Sequence, residues 1–107
     1  MNVAWLCLFA AGLFEIGWPV GLKNGWSSGG GKPLWLVFAV FCMAASGTLL
    51  FYAQRSIPMG TAYAVWTGIG AVGTFAVGVA FFGDSASVVR LVSVLLITAG
   101  VMGLRFA

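Results

Sequence analysis

Four runs of apolar residues, at about 3–22, 33–53, 59–82 and 87–104, fill almost the whole chain and leave only three short connections and two short ends. Each run is close to the roughly 20 residues that carry an α-helix across the hydrocarbon core of a bilayer. Charged residues make up 7% of the 107 positions, whereas a soluble domain carries about 25%. The polar surface that water demands is missing, so the chain reads as one all-α membrane domain over residues 1–107 with four transmembrane helices. No stretch remains for a soluble catalytic head, a nucleotide-binding fold or a DNA-binding module, and no enzyme activity is expected.

The breaks between runs carry turn and helix-end signals. Lys23 and Asn24 end the first run, and the following connection holds Ser27, Ser28 and three consecutive glycines, the composition of a flexible loop. Gln54, Arg55 and Pro58 separate the second run from the third. Gly83, Asp84 and Ser85 form the last loop, with Asp84 expected as the N-cap of the fourth span. The N-terminus has no basic segment ahead of its apolar stretch and no cleavage pattern, so the first run reads as a retained helix rather than a signal peptide. Cys7 and Cys42 lie inside apolar runs, where free cysteine behaves as a small hydrophobe. No Cys/His spacing calls for a metal or a disulfide, and no cofactor is expected.

An even number of spans puts both ends of the chain on one side. Lys23, Lys32 and Arg90 then share one face of the membrane, and Arg55, Arg105 and the terminal amine share the other. Orientation follows an excess of Lys and Arg on the cytoplasmic side, and here the two sides nearly balance. Insertion in both senses is expected, the alternative being one orientation imposed by a translocation factor. Five scattered cations make no patch for a row of phosphates, which removes nucleic acid as a partner. Four helices alone leave little room for a water-filled path, and the chain has no obvious internal repeat. A homodimer of oppositely inserted copies would supply the inverted symmetry that larger transporters build from internal repeats.

Glu15 is the one acid inside a span. Placing it near a helix centre costs roughly 2.5–3.5 kcal/mol on insertion scales, which an idle position would avoid. Burial raises a carboxyl pKa and a nearby cation lowers it, so such a group is suited to exchanging a proton for a cationic ligand. The other reading is a neutral carboxyl that glues helices together by hydrogen bonds. At i±3 and i±4 stand Ala11, Gly12, Trp18 and Pro19. The small pair leaves space beside the acid, and Trp18 offers an aromatic wall and an indole N–H. Pro19 has no backbone N–H for the carbonyl of Glu15, so a kink or local loosening is expected there, with the freed carbonyl either binding a ligand or simply relaxing the helix.

The third span adds Tyr63 and Trp66 at i, i+3. They serve either as an interfacial belt or as an enclosure for an organic cation through stacking and cation–π contact, with the phenol orienting the acid. Ser46, midway along the second span, has two available acceptors, its own helix at i−4 or the acid. The stretch from Gly68 through Gly70 to Gly73 matches GxGxxG by spacing, but it lies inside a continuous apolar run without a strand before it, so a dinucleotide site is rejected. Gly68 and Gly70 are read instead as positions for close packing and for a bend in the third span.

Taken together, these strings resemble the small multidrug resistance family of four-span proton-coupled exporters. The resemblance rests on Gly12-Leu-Phe-Glu15-Ile-Gly-Trp18, on Gly60-Thr-Ala-Tyr63-Ala-Val-Trp66-Thr67-Gly68-Ile-Gly70, and on Leu96-Ile97-Thr-Ala-Gly100-Val101. Trp18, Ser46 and the third-span string are similar to the guanidinium-exporter branch, whereas the multidrug branch usually has a small residue at the Trp18 position. Pro19 and Ser93 depart from the branch, which has alanine and glycine there.

The resemblance implies an antiparallel homodimer in a prokaryotic plasma membrane, with two copies of Glu15 sharing one site at which guanidinium competes with protons. It implies Trp18 and Ser46 as partners of the carboxylate, Tyr63 as an orienting residue, Trp66 as a wall and Gly12 as space. Leu96, Ile97, Gly100 and Val101 would form the dimer contact. The alternatives are export of quaternary ammonium ions, or a structural membrane subunit that transports nothing.

Overall fold

The computed structural model describes residues 2–26 and 31–107. Residues 27–30, part of the connection expected to be a flexible loop, lie outside these. The described residues form four α-helices and no strand: α1 Val3–Gly25, α2 Pro33–Ala53, α3 Met59–Phe81 and α4 Val88–Phe106. All four are long and apolar enough to cross a membrane, and at 1.5 Å per residue they span about 28–35 Å.

The helix ends follow local chemistry. The Asn2 side chain accepts a hydrogen bond from the Trp5 N–H at 3.0 Å and starts α1. Pro33 opens α2 from its first turn, where its missing N–H has no cost. The cap of α4 is Ser87, whose hydroxyl accepts from the Arg90 N–H at 3.4 Å, and this corrects the expectation for Asp84. Asp84 belongs to the end of α3 instead. Gly83 takes a φ of 72°, which glycine adopts without steric cost, and the N–H groups of Phe82 and Asp84 both donate to the Gly78 carbonyl at 3.0 and 3.1 Å. Helix α1 also runs past the apolar run through Lys23 to Gly25. A cation in the last turn suits the negative end of the helix dipole, so polar residues there extend the helix rather than stop it. Pro19 lies inside α1, which continues through it.

Helices in lipid gain no hydrophobic energy from touching one another, so close approach through small residues is what brings them together. Helix α1 is the hub. Towards α2 it turns Gly17, Gly21 and Gly25, spaced by four. A Cβ at Gly17 would come within 2.5 Å of the Cys42 sulfur, and one at Gly21 within 2.9 Å of Ala39. Towards α3 it turns Gly12, Glu15 and Ile16, which meet Ile69, Gly70 and Gly73. A tight core of Leu8, Ala53, Ile57, Ala62 and Val65 closes the end of the bundle nearer the termini.

Helix α4 packs chiefly on α3, reaches α1 through the Arg105 guanidinium 4.8 Å over the Trp5 ring, and has no buried residue. Its contact with α3 is made by Val101, whose methyl group occupies the space over Gly68. Of the residues expected to pack between two chains, Val101 and Ile97 thus lean towards α3 of their own chain, while Leu96 is 69% exposed and Gly100 has open space beside it. The bundle is 19 Å across its thinnest dimension, about two helix diameters.

Candidate functional site

Glu15 projects from the middle of α1 and is half-buried within the single chain. One carboxylate oxygen, Oε1, accepts a hydrogen bond from the indole Nε1 of Trp18 at 2.7 Å. The i, i+3 spacing places the indole on the same helix face one turn away, and a hydrogen bond to a charged acceptor is about twice as strong as a neutral one. The side-chain stem rests on α3 at Gly70, where a Cβ would stand 2.6 Å from Glu15 Cγ. The acid is therefore held from two directions, by a donor on its own helix and by a missing side chain on the next.

The space beside the acid is supplied by Gly70. Gly12, expected to supply it, is buried and occupied by Ile69, with a Cβ there 2.6 Å from Ile69 Cγ2. Sequence spacing brings Gly12 near Glu15 on α1 but carries no information on which side chain of α3 fills the gap.

Ser46 takes neither of the two acceptors that the sequence offered it. Its hydroxyl, 1% exposed, donates to the carbonyl of Ala11 at 2.7 Å and accepts from the Trp66 indole Nε1 at 2.8 Å. Three helices are joined in this relay from α3 through α2 to α1. In an α-helix the Ala11 carbonyl is also the acceptor for the backbone N–H of Glu15, so the relay ends on the peptide group that holds the acid in place. Trp66 is fixed by this bond, and the Tyr63 ring leans on it with centroids 5.5 Å apart. Tyr63 is 58% exposed on the open side of the chain. Gly68 and Gly70, expected at a bend, are buried in a helix that runs unbroken from Met59 to Phe81, one under Val101 and the other under Glu15.

The relay has an energetic consequence. Ser46→Ala removes the acceptor of the half-buried Trp66 indole, and leaving such a group unpaired costs about 1–3 kcal/mol; the Ala11 carbonyl loses its link to α2 and keeps the Glu15 N–H. The variant is expected to unfold earlier in denaturant titrations in detergent, with altered Trp66 fluorescence in the folded state. An unchanged midpoint and spectrum would mean that the relay does not hold the helices together.

As for known proteins, a family model described as "Small Multidrug Resistance protein" matches residues 3–97. A guanidinium exporter from Yersinia pseudotuberculosis is 50% identical over 105 residues, covering 98% of this chain and 99% of that protein. Guanidinium exporters from Proteus vulgaris and from Escherichia coli K12 are each 45% identical over 105 residues, covering 98% of this chain and 99% and 98% of theirs. The family match spans α1, α2, α3 and the first ten residues of α4. The chain is a multi-pass protein of a prokaryotic inner membrane and belongs to the small multidrug resistance family.

Proposed function

We propose that the chain exports guanidinium and small substituted guanidinium ions in exchange for protons, by alternating access, with Glu15 binding either the cation or a proton. The observation that carries the reading is the carboxylate held at 2.7 Å by Trp18 against Gly70. With Oε1 engaged by the indole, the acid is oriented and Oε2 is left to a ligand. A flat cation with N–H donors around its edge suits such an acceptor in the way arginine suits a carboxylate. A quaternary ammonium ion has no donor to offer, and the Trp18 ring occupies volume it would need. Relatives named guanidinium exporters, 45–50% identical over nearly the full chain, support the same substrate.

The working unit is a homodimer of oppositely inserted copies. A slab 19 Å thick has no width for an enclosed path, and one acid per chain becomes two per site only when two chains meet. The near-equal division of Lys23, Lys32 and Arg90 against Arg55, Arg105 and the amine supports both orientations. The exposed rings of Tyr63 and the open α4 surface at Leu96 and Gly100 are the faces available to the second copy.

The test is uptake of labelled guanidinium into proteoliposomes, with and without a pH gradient and in competition with tetraethylammonium. Gradient-driven uptake that resists tetraethylammonium is expected. Uptake indifferent to the gradient would reject proton exchange, and stronger competition by tetraethylammonium than by methylguanidine would favour the quaternary ammonium reading. Trp18→Phe keeps an aromatic ring but loses the donor, and guanidinium affinity is expected to fall roughly tenfold, the effect of one charge-assisted hydrogen bond. An unchanged affinity would remove Trp18 from the binding site.

A further inference from the structure

The polar face of α1 does not stop at Glu15. Glu15, Pro19 and Lys23 follow one another at intervals of four on α1, and Gly70, Thr74 and Gly78 repeat that spacing on α3, which runs alongside in the same direction. The first level is closed, because Gly70 receives the Glu15 stem. The next two levels stand apart: Pro19, Thr74, Lys23, Gly78, Phe82 and Asp84 line a cleft of about 220 Å³. At about 30 Å³ per water, that is room for a cation of four heavy atoms with part of its hydration shell.

Val20 and Val77 complete the lining, and the polar side chains facing the cleft are Lys23, Thr74 and Asp84. Asp84, exposed at the mouth, lays its carboxylate over Gly78, where a Cβ would collide with Oδ2. Among the described residues it has no cation within 4 Å, although Lys23 lines the same cleft. The Lys23 ammonium is instead placed over the Phe82 ring, 5.1 Å from its centroid, an attractive position for a cation. The hydroxyls of Thr48, Thr67, Ser93 and Thr98 each donate to the carbonyl four residues back, but Thr74 makes no such bond among the described residues. A carboxylate and a hydroxyl thus meet one cleft whose resident cation is parked on an aromatic ring.

We propose that this cleft is an outer binding site for the same planar, N–H-bearing cation, occupied on the way between Glu15 and the aqueous face that carries Lys23 and Asp84. Asp84 supplies the charge, and the Thr74 hydroxyl receives an N–H group. Four to eight residues of helix, about 6–12 Å, separate Glu15 from Pro19 and Lys23, so the outer site is distinct from the Glu15 carboxylate. Lys23 held on Phe82 keeps the carboxylate open to the arriving ion. The inference rests on the export reading for its ligand.

The test is an amide NMR titration in bicelles with guanidinium chloride against tetramethylammonium chloride at equal ionic strength, on the wild type, Glu15→Gln and Glu15→Gln/Asp84→Asn. Saturable shifts at Thr74, Gly78, Gly83 and Asp84 are expected in the wild type and in Glu15→Gln with guanidinium only, and their loss is expected with Asp84→Asn. Absent shifts, shifts that survive Asp84→Asn, or equal shifts with tetramethylammonium would overturn the outer site.

In liposomes, Asp84→Asn alone is expected to leave guanidinium affinity at Glu15 within twofold and to slow uptake at low concentration about fivefold, the scale of one exposed charge contact. Asp84→Glu is expected to restore the rate, and full-rate uptake by Asp84→Asn would count against the proposal. A wild type that carries no guanidinium at all would reject the export reading instead, whatever the titration shows.

Discussion

Replacing Gly70 by alanine is expected to lower guanidinium affinity about tenfold, near 1.4 kcal/mol, while the chain stays folded. A methyl group at this position would stand 2.6 Å from Glu15 Cγ and 3.2 Å from its Cβ. Overpacking of this kind costs typically 1–3 kcal/mol, and alanine returns about 1 kcal/mol through its better helix propensity. The atoms in the way belong to a flexible side chain rather than to backbone, so the least costly response is rotation of Glu15 away from Trp18. Stability is then nearly conserved and the geometry of the acid is not. Gly60→Ala is the control, since open space lies beside Gly60; it is expected to leave affinity unchanged. Equal affinities for Gly70→Ala and wild type, measured by equilibrium binding in detergent, would mean that the Gly70 contact does not position the carboxylate.

Glu15→Gln is expected to reduce guanidinium flux by roughly 100-fold or more, because removing one partner of a desolvated ionic contact costs about 3–5 kcal/mol. The substitution is nearly isosteric and its amide oxygen still accepts from Trp18, so the local fold is retained and the loss reports charge alone. This outcome separates transport from a gluing role, in which a neutral hydrogen-bonding side chain would serve equally well. A Glu15→Gln protein that still moves guanidinium against a gradient would end the case for Glu15 as the carrier.

The four helices were legible because their signal is additive. About twenty apolar residues per run outweigh any local ambiguity, and the only disagreements lie at the ends. Lys23 and Asn24 read as a stop, yet α1 continues to Gly25 because cations are stabilised in a last turn. Asp84 read as a cap, but Ser87 stands directly before the first turn of α4 and takes that place. Glu15 was legible for a different reason: its cost in the membrane marks it without any knowledge of neighbours. Helix spacing put the Trp18 ring and indole N–H on the face of Glu15, since i and i+3 share a face, and its part as partner of the carboxylate was implied by the family resemblance.

What joins one helix to another was not legible. The partner of Ser46 lies 35 residues away on α1, and no periodicity within α2 points to the Ala11 carbonyl. Gly12 and Gly70 exchanged the expected task, because the choice between them depends on whether Ile69 or Glu15 fills a given gap between α1 and α3. One signal was present and passed over. Gly17, Gly21 and Gly25 form a small-residue repeat at intervals of four, the pattern that brings membrane helices close, and in the structure it marks the contact of α1 with α2.

The exchange of a proton for a cation at Glu15 is most directly measured without a membrane potential or a second compartment. Guanidinium is added to purified protein in weakly buffered detergent solution across pH 5–9, with a pH-indicator dye reading proton release beside calorimetric binding. Proton release that accompanies binding in the wild type and is absent in Glu15→Gln is the expected result. Guanidinium binding with no proton released at any pH, or equal release from Glu15→Gln, would contradict competition between the two ions for this carboxylate.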